Sequence, residues 1–389
     1  MNIKELAKKY EQYIVDSRRH FHMNPELSEQ EFETTEYIAK ELDRLGIPYI
    51  RPTATGLIGT IQGAAPGPCV GLRADIDALN VTEKNEVPYR SQVEGKMHAC
   101  GHDAHAAMLL GAASILSELK GQFNGSVKLI FQPAEEVGRG ASQLMAAGDW
   151  YQEVDNFFGA HIWSVMPSGQ VSVEAGGRMA AADWWEVTVK GKSGHGSMPQ
   201  QGVDAALIAS AIVMNLQPLV SRETSPLESL VITVGTIEAG KRFNIIAGDA
   251  KLSGTNRYFS KAIAGSIEGD MKRIIENTAA MYRGEATLDY KFVTPPLIND
   301  PASSDLARAA ALKIFEPQQI VLEPATTGGE DFAYYIQNKP GCFAFIGCAN
   351  PDKGTHIAHH HECFNIDEDV LANGAALYAQ YAVDFLNQN

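Results

Sequence analysis

The chain has 389 residues, 45% hydrophobic and 20% charged, the balance of a soluble globular protein with room for two domains. A formal net charge of −15 speaks against a phosphate-backbone partner, which needs a basic stripe. No apolar run is expected to approach the ~20 residues that span a bilayer, and the opening Met1-Asn2-Ile3-Lys4-Glu5 lacks a basic-then-apolar leader, so we expect a cytoplasmic protein with no membrane or nucleic-acid partner.

In chain order, apolar and aromatic residues at helical spacing predict a helix over 3–21 and a second over 31–45, stopped by Gly46. Strand-like runs follow at 56–62 and 69–75, then a helix over 104–119, then strands at 126–132 and 156–161. Alternation of this kind predicts an α/β fold with a mostly parallel central sheet. Asp75, Glu135-Glu136 and His161 fall at or just beyond the carboxyl ends of these strands, the edge where open α/β sheets hold ligands. From 180 to 293 the pattern changes to strand 184–189, helix 204–220, strands 230–237 and 250–258, helix 261–282 and strand 286–292. That β-α-β-β-α-β order predicts a smaller ferredoxin-like α+β domain inserted into a larger one formed by 1–179 and 294–389. The larger domain resumes with a helix, a strand at 342–347 and a closing helix over 367–386.

The chemistry concentrates in His98-Ala99-Cys100-Gly101-His102-Asp103-Ala104-His105, where thiol, imidazole and carboxylate crowd together as a divalent transition metal requires. A structural zinc site normally shows paired Cys-x-x-Cys spacing, and this chain has none. Cys69, Cys342 and Cys348 lie in apolar strand-like runs and read as free thiols. Two ions close together need a bridging ligand, terminal ligands and a water. Cys100 and His102 offer ligands from one tight loop, Glu136 an oxygen, His161 an imidazole, and one of His359, His360 and His361 the last. Glu135 is then left as general base, and Asp75 or Asp103 to hold a ligating imidazole in its tautomer. Singly each has a bland reading: a hydrogen-bonded histidine, an acidic first helical turn, a surface histidine patch. Together they would need to coincide at one sheet edge.

The motifs resemble those of the amidohydrolase branch of the aminoacylase/carboxypeptidase metallopeptidases, which includes hippurate hydrolases and indole-acetyl-amino-acid hydrolases. The resemblance runs through Arg73 to Leu79, His98 to His105, Phe131 to Glu136, Gly159 to His161, Gly194 to Pro199, Gly328 to Tyr334 and His360 to Phe364. It implies a dinuclear catalytic domain with an inserted lid. It also implies that Cys100 bridges two divalent ions (zinc, manganese, cobalt or nickel), one completed by Glu136 and His360, the other by His102 and His161. His195 matches the residue that stabilises the oxyanion, and Asn244 and Arg257 match contacts to the substrate carboxylate. Asn80 stands where these enzymes usually carry proline, and Glu362-Cys363 replaces a commoner proline-containing stretch.

The expected activity is hydrolysis of the amide of N-acyl (acetyl, benzoyl or aryl-acetyl) amino acids. The competing readings are a dipeptidase or carboxypeptidase, and a non-catalytic metal-binding homologue. Trp163, Trp184, Phe243 and Tyr258 hint at an apolar acyl pocket. Gly191-Lys192-Ser193 lacks the glycine spacing of a phosphate loop, so nucleotide binding is not expected. The surplus apolar residues of 204–220 and 230–237 point to a homodimer or higher homo-oligomer formed through the lid.

Overall fold

The computed structural model describes residues 2–388. It divides into two compact units, the larger made of Met1–Arg178, Ile298–Pro324 and Asp331–Asn389, the smaller of Met179–Leu297 and Ala325–Glu330. The return of 325–330 to the smaller unit is not apparent in the sequence pattern. It follows from the Ala180 amide, which donates to Thr326 O at 3.1 Å and Gly328 O at 3.0 Å.

The larger unit opens with α1 (Ile3–Met23), started by a reciprocal Asn2–Glu5 capping box. Next comes α2 (Phe32–Leu45), which ends on Gly46 in the left-handed region. Its sheet has seven strands: β1 (Tyr49–Ile50), β2 (Leu57–Gln62), β3 (Cys69–Asp75), β4 (Ser126–Gln132), β5 (Asn156–Pro167), β6 (Val171–Ser172) and the late strand Gly341–Ala349. Their order is β1-β2-β4-β3-β5-(341–349)-β6. The central strands β4, β3, β5 and 341–349 run parallel, while β1, β2 and β6 pair antiparallel at the flanks. Every residue of β3 is buried, as expected of a parallel strand covered on both faces.

Between β3 and β4 lies α3 (His102–Leu119), buried on nearly all sides. It begins two residues earlier than its apolar pattern suggests, so His102 and Asp103 occupy its first turn. Strand β5 also runs past the predicted end, because its far half pairs with 341–349 out to Pro167. His161 is therefore inside a strand, a correction to its expected place at a strand end. The last rung between β3 and β5 is Arg73↔Gly159, so Asp75 and His161 both lie two residues beyond it. That restores the convergence at this edge of the sheet.

The smaller unit contains β7 (Ala181–Lys190), β8 (Gly194–His195), α4 (Ala205–Pro218), β9 (Leu230–Ala239), β10 (Ile245–Ile246), β11 (Asp249–Tyr258), α5 (Lys261–Met281) and β12 (Glu285–Thr294). Four strands form an antiparallel sheet in the order β9-β11-β7-β12, and β8 pairs with β10. The inward side chains of α4 (Ile208, Ile212 and Leu216) join Val187, Val189, Leu252 and Met271 in one core. One expectation fails here. The continuous helical run Ala205–Glu223 is, by length and composition alone, apolar enough to cross a bilayer. Its inward face packs on the unit's own core, the usual reason for an apolar helix in a folded protein.

Candidate metal centre

The loop before α3 is shaped by Gly101, whose φ of +101° lies in the left-handed region. A Cβ there would sit 2.3 Å from Ile162 Cδ1, so no other residue fits without movement. The loop therefore packs directly against β5, which brings Cys100 beside His161, with Sγ and Nε2 3.5 Å apart. The candidate donor atoms of Cys100, His102 and His161 lie within 4.8 Å of one another, and so do those of Cys100, Glu136 and His360. The two triads share Cys100. His360 Nε2 is 3.6 Å from Glu136 Oε1, and His102 Nε2 is 3.9 Å from Glu136 Oε1 and from Glu135 Oε2.

Hydrogen bonds on the far side of each imidazole aim its free nitrogen. His102 Nδ1 faces Asp77 Oδ1 at 3.0 Å, and His161 Nδ1 donates to the Ile162 carbonyl at 2.5 Å. In each case Nε2 is left toward the cluster. Within the histidine triplet, both nitrogens of His359 are engaged, Nδ1 at Cys100 O (3.1 Å) and Nε2 accepting from the Ser164 amide (3.1 Å). His361 Nδ1 accepts from the Cys363 amide at 3.0 Å. His360, in the left-handed region at φ +66°, is the member turned toward Glu136.

The donor set fits divalent metal. His102 Nε2 and Glu136 Oε1 are buried with no hydrogen-bond partner, a costly arrangement unless a cation lies between them. Burial pushes the Cys100 thiol well up, with Glu136 adding to the effect. Burial, together with the neighbouring Asp77, raises Glu136 to about 7. His161 and His360 are pushed down by burial and by neighbouring imidazoles, which keeps their lone pairs available. A third group, Asp75-His102-His105, competes poorly because His105 is already spent. Its Nδ1 meets Asp75 Oδ1 at 2.5 Å and its Nε2 accepts from the Ile162 amide at 2.9 Å.

The carboxylate supporting His102 is Asp77, which corrects the assignment of that task to Asp75 or Asp103. Asp75 is drawn to Arg73 Nη1 at 2.7 Å and to His105, and approaches His102 Nε2 only at 3.7 Å. Asp103, one position along α3, turns toward α1, where it meets Arg18 Nε and His22 Nδ1, each at 2.8 Å. Asp77 was legible in principle, since alternation along the β3 exit puts positions 75 and 77 on one side.

His195, Asn244 and Arg257 belong to the smaller unit. His195 sits on β8 opposite Ile245, with Ser197 Oγ 2.7 Å from its Nδ1, and the neighbouring Gly196 amide donates to Asn244 O at 2.9 Å. Arg257 donates to Thr327 O at 3.2 Å and Asn256 O at 2.9 Å, and is half buried. Of the aromatic residues suggested for an acyl pocket, Tyr258 is core. It is 1% exposed and donates to Asp183 Oδ2 at 2.6 Å. Trp163 stacks on Phe345 with ring centroids 4.3 Å apart, whereas Trp184 and Phe243 are exposed.

Comparison with known proteins agrees with this chemistry. Residues 71–384 match the profile of peptidase family M20/M25/M40. The chain is similar to an N-acetyl-L-cysteine deacetylase of Bacillus subtilis, 40% identical over 97% of this chain and 89% of that protein. It is also similar to an IAA-amino acid hydrolase of Arabidopsis thaliana, 38% identical over 96% of this chain and 86% of that one. Among solved structures, a dinuclear metal-binding peptidase of Bacillus subtilis superposes with a TM-score of 0.87 at 33% identity, covering 98% of this chain and all of the other.

Proposed function

The chain belongs to peptidase family M20/M25/M40, and from that premise we propose that it hydrolyses the amide bond of N-acyl amino acids, releasing a carboxylic acid and a free amino acid. The observation that carries the reading is the pair of donor triads sharing Cys100, with buried and unpartnered His102 Nε2 and Glu136 Oε1 aimed into them. Cys100, His102 and His161 would hold one divalent ion, and Cys100, Glu136 and His360 the other. Ions bound there supply Lewis acidity toward a carbonyl oxygen and lower the pKa of a water to around 7.

The remaining work falls to this chain's own side chains. Glu135 takes a proton from the attacking water as its oxygen adds to the acyl carbon. It then returns that proton to the nitrogen as the C–N bond breaks. His195 donates to the oxyanion, an interaction of about 3–4 kcal/mol in comparable sites. Arg257 and Asn244 bind the free carboxylate, which selects substrates ending in an acid. A second copy of the chain pairs through the smaller unit.

Two relatives named for acylated amino acids, an N-acetyl-L-cysteine deacetylase and an IAA-amino acid hydrolase, support an acylated substrate. The test is a panel of N-acetyl, N-benzoyl and indole-acetyl amino acids beside free dipeptides, after chelation and reloading with Zn²⁺, Mn²⁺ or Co²⁺. Turnover of acylated substrates alone is expected. Turnover of dipeptides alone would make the protein a peptidase.

A further inference from the structure

We propose that Glu31 is a positioning residue whose buried carboxyl holds the turn that presents Glu135 and Glu136. Glu31 is 0% exposed, and its Oε1 accepts from the Ala134 amide at 2.8 Å. Ala134 has φ +56°, a conformation that residues with a Cβ seldom adopt without outside support. Its own carbonyl accepts from the amides of Arg139 (3.2 Å) and Gly140 (3.1 Å), which closes the turn on the other side. Two residues on, the Glu136 amide donates to Asp77 Oδ2 at 3.0 Å. Two buried carboxylates thus grip the amides of 134 and 136, and Glu135 lies between them.

A helix-capping role does not account for Glu31. It stands at the N-cap of α2, yet its side chain makes no capping hydrogen bond to that helix. Instead the carboxyl reaches across to a turn about a hundred residues further along the chain. Burial, with Asp77 close by, raises its pKa to about 7. A group that served only to fill space would not need a carboxyl held under that penalty.

This inference rests on reading Glu135 as the base and Glu136 as a ligand. It is tested by Glu31→Met, which keeps volume but removes the acceptor, and Glu31→Gln, which keeps an acceptor oxygen. Glu31→Asp, which keeps the charge but shortens the reach, stands in should the Met variant not fold. The readouts are kcat and KM on an N-acyl amino acid, Zn²⁺ affinity by competition with a chromophoric chelator, and Tm. Glu31→Met is expected to lose roughly 10–100-fold in kcat and in Zn²⁺ affinity with KM nearly unchanged. Glu31→Asp should move the same way, and Glu31→Gln should restore both to near the parent values. Parent kcat and Zn²⁺ affinity in Glu31→Met or Glu31→Asp, with only Tm lowered, would overturn the proposal. Equal damage in Glu31→Gln would overturn it too. A parent protein inactive on every acylated substrate would sink the reading of the site, and the Zn²⁺ arm would still judge Glu31.

Discussion

Asp77 carries three contacts on one carboxylate: the His102 imidazole, the Glu136 amide and the Ser28 hydroxyl at 2.7 Å. It therefore ties one candidate ligand to the backbone of another, while Asp75 and Asp103 are each committed to an arginine. Asp77→Ala is expected to weaken Zn²⁺ binding by roughly 10–100-fold, the usual consequence of removing the partner of a ligating imidazole. Chelator competition measures this directly, and unchanged affinity would show that His102 needs no such support. At this scale the residue types and their clustering were legible, but the pairing between them was not. Three aspartates lie within reach of the histidine-rich loop in sequence, and only the direction of each side chain in the fold decides which one meets His102. The triplet His359-His360-His361 is similar. The left-handed backbone of His360 and the double engagement of His359 separate neighbours that sequence alone treats alike.

Among the elements, α4 and β9 have more apolar surface than their own unit covers. Leu207 and Met214 on α4 are 52% and 69% exposed, and Ile237 on β9 is 51% exposed. β9 is also the edge strand of its sheet, with backbone donors and acceptors open to another strand. A second copy placed there would bury both features, so the purified protein is expected to sediment as a dimer. Leu207→Glu combined with Ile237→Lys should shift it toward monomer without unfolding it. A parent that sediments as a monomer at all concentrations would remove this reading. The helical and strand periodicities of the smaller unit were plain in the sequence, including its β-α-β-β-α-β order. Less legible were features set by distant pairing. Strand β5 continues to Pro167 because 341–349 lies beside it, and 325–330 joins the smaller unit through hydrogen bonds to Ala180.

For the molecule as a whole, one sheet edge gathers residues from six separate stretches of chain. Asp77 leaves β3, Cys100 lies in the loop before α3 and His102 opens that helix, Glu135 and Glu136 follow β4, His161 rides on β5, and His360 comes from the segment before the last helix. Glu31 arrives from the start of α2. The parallel order of the central strands makes this convergence, because each of them delivers its carboxyl end to the same side. That part of the site followed from strand order and residue type. Glu31 did not, since a buried carboxylate that supports a turn about a hundred residues away has no local sequence pattern of its own. The central claim is that this edge is a metal-dependent amide-hydrolysing centre with Glu135 as its base. The most direct measurement compares the parent with Glu135→Ala, scoring bound metal per chain and hydrolysis of an N-acyl amino acid on the same samples. Equal metal content with turnover lower by roughly 10²–10⁴-fold is the predicted result. Full turnover in the variant, or metal lost along with activity, would contradict it.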